Sequence, residues 1–461
     1  MTKLKARLTV NFLANIYAQV VSLIYLVLTV PLYLSFWHIE LYGEWLVLSA
    51  LPSYIALSNM GLMNVAQNKM TIAMSKGDLA CAKTSLHTVW TAQLGISIIV
   101  GSLILLLVNV LDLASILKLK YISEDDARFV FCELAVFALL NLQVGIFGGI
   151  YRAVGKNSRG VVIINTIRLF SIVSVACLLI LGIKNVTNIS AVMVLSYIVG
   201  ILFISYDSAK IAPNLRPGFK AFDISSLKES INLGLAFMAY PLGRAITNQG
   251  MLLFTNAYVG SASVVILTSL RSLVNMAFQI SNLIHLSTWP EYSRLHGEKN
   301  LDGLRKLFKF STSIGILFGV STATFLLMFG PNLIELWTRG EVLVERDLLL
   351  LFIISIVFNS IWYTSSTIFN ATNNHASISK IFFLASSVVP VSAWVLNEIT
   401  GFELKAVGFS FILMETVMLL FVVPKALKLI NVSTISWICN SFIFPFLIIN
   451  KIKINVKNLF F

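Results

Sequence analysis

Of the 461 residues, 57% are hydrophobic and only 12% are charged, with a mean hydropathy of +0.86. A soluble chain carries about a quarter charged residues, so repeated apolar runs of about twenty residues replace any soluble domain organisation. The formal net charge of +13 is then no nucleic-acid signal, because in a membrane chain it reports where the Lys and Arg residues lie.

In chain order the apolar runs predict twelve transmembrane helices. They cover roughly 10–34, 42–61, 86–110, 128–150, 161–183, 189–206, 231–258, 262–285, 310–330, 347–369, 380–397 and 405–424. The first follows a basic start (Lys3, Lys5, Arg7), is too long for a signal peptide and lacks a small-residue cleavage site, so it reads as a retained helix. Pro31, Pro52, Pro241 and Pro390 fall inside spans, where neighbouring helices satisfy the freed carbonyls. Gly145 with Gly149, and Gly315 with Gly319, have the spacing of close helix–helix contacts. The stretch 437–449 is apolar but short and contains Pro445, and reads as an interfacial or re-entrant piece with both termini cytoplasmic.

The charges test this topology. With a cytoplasmic N-terminus, 24 of the 34 Lys and Arg residues fall on inside segments, 7 on outside segments and 3 within spans. That one-sidedness is the positive-inside pattern. The outside loops are short, while the inside loops 62–85, 207–230 and 286–309 are longer and basic, and no segment is large enough for a separate soluble enzyme domain.

The chain also resembles itself. Ile150-Tyr151-Arg152-Ala153-Val154-Gly155-Lys156-Asn157 leaves the fourth span as Ile368-Phe369-Asn370-Ala371-Thr372-Asn373-Asn374-His375 leaves the tenth. This predicts an all-α integral membrane protein of two six-helix lobes, 1–212 and 213–430, followed by a basic tail over 431–461.

Charged groups at membrane depth cost about 2.5–3.5 kcal/mol on insertion scales, so each needs a reason. In the seventh span Tyr240, Arg244, Asn248 and Thr255 share an arc of ~80° at about 100° per residue. Thr268, Arg271, Asn275, Gln279 and Asn282 do the same in the eighth, as do Asn11, Asn15, Gln19, Ser22 and Thr29 in the first. Such stripes line a helix seam or a water-filled cavity. Arg244, Arg271, Asn248, Asn275, Gln279, Asn15 and Arg168 are the candidates for a substrate-binding cavity, with an anionic substrate favoured by the three Arg. For Arg168, only about 10 Å from the cytoplasmic face, snorkelling to that face is the competing role. A structural partner for a carboxylate such as Glu415 is the competing role for Arg244 and Arg271. Glu415 is itself the candidate coupling carboxylate. Arg152 and Lys156 are candidates for receiving substrate at the cytoplasmic mouth, against a plain topological role.

Other chemistry finds no support in the sequence. Gly149 to Asn157 has the wrong spacing for a P-loop and no Ser or Thr after the Lys. There is no HExxH or GxSxG pattern and no Cys/His cluster among Cys81, Cys132, Cys177 and Cys439, so neither a metal, a cofactor nor a disulfide is expected. Ser123-Glu124-Asp125-Asp126 reads as a helix N-cap with an acidic first turn.

Several turns together resemble a known family. They are Asn11 leading to Pro31-Leu32-Tyr33-Leu34, Leu41-Tyr42-Gly43-Glu44-Trp45, Met60-Gly61-Leu62 with Gly77-Asp78, and Trp289-Pro290-Glu291-Tyr292-Ser293-Arg294. With the two-half architecture they are similar to bacterial polysaccharide exporters, the O-antigen flippase (Wzx-type) branch of the multidrug/oligosaccharidyl-lipid/polysaccharide (MOP) superfamily, over nearly the whole chain to about residue 430. The resemblance implies a MATE-like fold in the bacterial inner membrane. It implies alternating access that moves an undecaprenyl-pyrophosphate-linked oligosaccharide from the cytoplasmic to the periplasmic leaflet, without catalysis. The implied partners are that lipid-linked oligosaccharide, a coupling ion (H+ or Na+) and other polysaccharide-assembly membrane proteins. A multidrug or cation antiporter of the same superfamily is the alternative, and a polysaccharide polymerase or lipid-linked glycosyltransferase a more distant one.

Overall fold

The computed structural model describes residues 2–55, 60–372, 375–434 and 437. Apart from Trp437, the predicted interfacial segment 437–449 lies outside the described residues. Every regular element among the described residues is helical, because an apolar chain in lipid must satisfy its backbone within each segment. The chain is an all-α integral membrane protein, with ten helices among the described residues that are long and apolar enough to cross a bilayer.

The elements run α1 (Thr2–Leu34), α2 (Ile39–Ile55), α3 (Met60–Ser75), α4 (Leu79–Val110), the single turn α5 (Leu113–Ile116), α6 (Glu124–Ala153), α7 (Asn157–Ile180) and α8 (Val186–Ile211). There follow α9 (Ile224–Ala245), a π-helical turn (Ile246–Gly250), α10 (Met251–Tyr258) and α11 (Ser261–Gly297). The last are α12 (Leu301–Trp337), α13 (Arg346–Ala371), α14 (His375–Thr400) and α15 (Leu404–Leu429).

Two of the twelve predicted spans are absent from the ten. The second runs from α2 to α3 across residues 56–59, which lie outside the described residues, and the seventh is divided between α9 and α10 by the π turn. The π turn holds more residues than an α turn, so it shifts the angular register of Asn248 and Thr255 relative to Tyr240 and Arg244.

The long inside loops are corrected as well. Residues 62–85 are mostly α3 and the start of α4, and 286–309 are mostly the end of α11 and the start of α12. At 37 residues each, α11 and α12 reach roughly 55 Å at 1.5 Å per residue, well beyond an apolar core of about 30 Å. Their basic turns are helix extensions rather than coil. Side chains set the breaks. Asp78 caps α4 at Cys81 N, and Asn300 caps α12 at Gly303 N. The predicted cap on α6 is present too: Ser123 Oγ accepts from Asp126 N at 3.2 Å, ahead of Glu124, Asp125 and Asp126.

Gly155, in the segment compared with a P-loop, ends α6. With φ +73° it permits the paired bonds Lys156 N–H to Tyr151 O (2.8 Å) and Gly155 N–H to Arg152 O (3.1 Å).

Tertiary packing groups the chain into two compact units, Met1–Val265 and Ile266–Phe461. The first unit ends later than residue 212 because α9 packs on α3 and α4, and α10 on α2. Its core joins Met70, Leu86, Phe147, Ile150, Tyr151 and Ile204. Glu44, only 1% exposed, is spent on structure. Its carboxylate accepts the N–H groups of Lys120 (2.6 Å), Tyr121 (3.0 Å) and Ile122 (2.8 Å) and so anchors the loop before α6. Lys118 Nζ on the same loop donates to Ala257 O at 2.7 Å. In the second unit α13 packs against α12 and α15, and α14 against α15. Tyr292, from the Trp289–Arg294 motif, is buried and shares a 2.7 Å hydrogen bond with Ser311, and burial raises its phenol above the ordinary value.

Candidate functional site

Within the first unit α1 packs on α7, and α8 on both α6 and α7. These four helices line a half-open cavity of about 360 Å³. From α1 come Tyr25, Thr29 and Tyr33, which share one face because residues four apart stack along a helix. Helix α6 supplies Phe137 and Asn141, α7 supplies Asn165, Arg168 and Ser171, and α8 supplies Met193 and Tyr197.

Arg168 is the single charged residue among the described lining residues, none of which is Asp or Glu. Helix α7 begins at Asn157, which puts Arg168 roughly 17 Å along the helix at 1.5 Å per residue. Its guanidinium lies 4.5 Å from the centroid of the Tyr25 ring and donates from Nη1 to Ser22 Oγ at 3.3 Å. One hydrogen bond and one ring face leave most of its five N–H donors for a ligand. Phe137 and Tyr197, which also line the cavity, meet edge to face at 4.4 Å. Asn165 Nδ2 is turned to its own helix, donating to Val161 O at 2.8 Å, whereas Asn141 is exposed in the cavity. A cation, amides, hydroxyls and aromatic faces with no acid among them bind anions and polar hydroxylated groups.

The other sequence candidates are distributed differently. Ser22 and Thr29 of the predicted first-span stripe reach Arg168 or the cavity, but Asn15 is exposed and does not line it. Arg244 is half-buried near the end of α9, its guanidinium 5.9 Å from the Tyr240 ring, with Asn248 following on the π turn. Arg271, Asn275 and Gln279 are half-buried on α11, in the second unit. Glu415, 2% exposed, accepts from Asn359 Nδ2 at 3.2 Å and from Trp362 Nε1. Arg152 and Lys156 are exposed at the α6–α7 turn. Beside them Arg159 is not a free basic residue: it holds Asp207 through Nε (3.0 Å) and Nη2 (2.5 Å), and Tyr151 donates to the same carboxylate at 2.6 Å.

The tyrosines and Asn141 were missed by sequence reasoning. The Tyr25, Thr29, Tyr33 spacing was available as a signal, but a tyrosine in an apolar span reads as packing until its neighbours are known. Glu133 was also missed. It lies two turns into α6 and accepts from Ser190 on α8. No group of three metal-ligating side chains occurs among the described residues.

No protein-family model matches the chain, and no curated protein matches it. Solved structures do. An inward-facing structure of a multidrug resistance MATE family transporter of the MOP superfamily matches at TM-score 0.75 and 17% identity, over 89% of this chain and 94% of that one. The chain has the MATE fold. A MATE structure in complex with MaL6 matches this fold at TM-score 0.61 and 17% identity, over 92% of this chain and 95% of the other. A MOP superfamily transporter from Pyrococcus furiosus, whose binding pocket is described as reversed in polarity, matches at TM-score 0.60 and 14% identity, over 93% of this chain and 95% of that one. At these identities the MATE likeness is one of fold, in a multi-pass membrane protein.

Proposed function

We propose that the chain is a transporter that flips a lipid-linked oligosaccharide, carried on an anionic phosphate headgroup, from the cytoplasmic to the opposite leaflet by alternating access. The observation that carries this reading is the Arg168 cavity, with a guanidinium at membrane depth and no acidic residue among the described lining. An anionic, hydroxyl-rich headgroup satisfies a guanidinium, amides and tyrosine rings together, while a lipid tail stays in the bilayer. The MATE fold and the one-sided Lys/Arg distribution support a bacterial inner-membrane location with both termini cytoplasmic. Arg244 and Arg271 are further cations at membrane depth, each in its own unit. Glu415, which accepts from Asn359 and Trp362, is the proposed site of H+ or Na+ coupling.

The test is headgroup translocation in proteoliposomes loaded with a defined carrier-linked glycan. On this reading Arg168→Gln is expected to lower translocation about tenfold or more with insertion unchanged. No translocation by the wild-type chain overturns it.

A second reading, a multidrug or cation antiporter, is supported by the multidrug MATE neighbour and by the two intramembrane carboxylates Glu133 and Glu415. Efflux of cationic dyes by the same vesicles, without glycan translocation, selects it.

A further inference from the structure

The connection between α8 and α9 leaves an unusual surface. On the last turns of α8, Phe203, Tyr206 and Lys210 lie within an arc of ~60° at about 100° per residue, and all three are exposed, Tyr206 at 71%. The chain then crosses α4 as a loop that is fixed in place. Ala221 N–H donates to His87 Nδ1 (3.0 Å), His87 Nε2 meets Arg216 O (3.2 Å), and Asp223 N–H donates to Thr88 Oγ1 (3.0 Å). Leu215 is buried beneath it.

This pinning presents Phe219 (61% exposed), Phe222 (41%) and Ile224 (54%) outward, interleaved with exposed Arg216, Lys220 and Lys228. The acids in this stretch are engaged elsewhere: Asp207 by Arg159 and Tyr151, Asp223 as the cap of α9, and Glu229 by Lys69 at 2.7 Å. No ion pair neutralises Arg216, Lys220 or Lys228 among the described residues. A rigid loop that exposes aromatic side chains would be unfavourable in water. At the headgroup level aromatic rings are favoured, and unpaired cations beside them are drawn to negative lipid.

We infer that the segment from Phe203 to Lys228 is a docking surface for anionic phospholipid headgroups of the surrounding bilayer. The rings seat at the headgroup boundary and the four cations contact the phosphates, which fixes the connection between α8 and α9 against one leaflet. This inference does not depend on the proposed cargo, since Arg168 and its cavity take no part in it.

The full-length chain, purified and incubated with an equimolar mixture of phosphatidylglycerol and phosphatidylcholine, is analysed for retained lipid by mass spectrometry. Wild type is expected to retain phosphatidylglycerol in several-fold excess. The triple variant Arg216→Gln, Lys220→Gln, Lys228→Gln is expected to lose most of that excess, and the control Lys299→Gln, Lys306→Gln, Lys428→Gln to keep it. Equal retention of the two lipids by wild type, or equal loss in both triple variants, overturns the proposal. A fluorophore on Phe222→Cys, with the four native cysteines changed to Ser, gives an independent reading in nanodiscs of the same lipids. Quenching by headgroup-labelled phospholipid is expected; quenching by aqueous iodide alone overturns the docking. Because only phospholipids are present, a carrier-linked substrate cannot produce either signal.

Discussion

Arg168 rests its guanidinium 4.5 Å from the ring centroid of Tyr25, so the first and fifth spans present one cation and one aromatic face to the same cavity. Ser22, one turn away on α1, takes the single hydrogen bond that orients the group. Planar, pre-oriented guanidinium differs here from a flexible ammonium, which lacks the fork that meets two oxygens at once.

Arg168→Gln is therefore expected to lower headgroup translocation about tenfold or more, and Arg168→Lys to recover only part of it. A charge-assisted hydrogen bond contributes roughly 1.5–3 kcal/mol, which is the scale of that loss. Initial rates in proteoliposomes, normalised to inserted protein, measure it. Equal rates for the wild type and the Arg168→Gln variant would remove the cavity from the transport path.

Tyr25→Phe is expected to leave transport close to wild type, because the ring face and not the hydroxyl meets Arg168. Tyr25→Leu is expected to reduce it several-fold. The two substitutions separate ring stacking from hydroxyl hydrogen bonding in the same assay.

Gly43 carries a prediction about folding. A Cβ there would lie 2.0 Å from the carbonyl oxygen of Ser261, a backbone atom that has no side-chain freedom to move away. Gly43→Ala is expected to abolish monodisperse protein in detergent gel filtration, whereas Gly95→Ala, where a Cβ meets nothing within 4 Å, is expected to be tolerated.

Glu44→Ala is expected to destabilise the chain by about 3 kcal/mol, since several backbone N–H groups lose a charged acceptor together. Glu44→Gln should fall between the two, with one acceptor oxygen remaining. Thermal unfolding of the purified protein orders the three.

Tyr151→Phe and Asp207→Asn are expected to be non-additive, because both hydroxyl and guanidinium serve one carboxylate. The Arg159 side chain is 54% exposed, so solvent screening keeps the ion pair itself near 1 kcal/mol or below. A double-mutant cycle in thermal stability reads the coupling.

Much of the fold was legible in the sequence. Runs such as 86–110 and 405–424 are decisive because bilayer thickness fixes how long an apolar helix must be. The N-cap at Ser123 was legible for a local reason, since a cap involves residues three apart. The site was legible only in part. Arg168 stood out as a charge in an apolar run, but Asn15 belonged to the same stripe as Ser22 and is exposed. The π turn in the seventh span was not legible, because no local residue pattern announces where a helix takes the wider turn.

The sequence by itself determined a helical, multi-pass membrane chain with its basic residues biased to one side, because hydropathy and charge act on each segment separately. Only the tertiary structure decided which polar groups share a space. It joined Arg168 to Tyr25, Asn141 and Tyr197 in one cavity, gave Arg159 to Asp207, and spent Glu44 on a loop backbone. Those outcomes depend on how helices far apart in the chain are rotated and packed against one another, and no local pattern encodes that rotation.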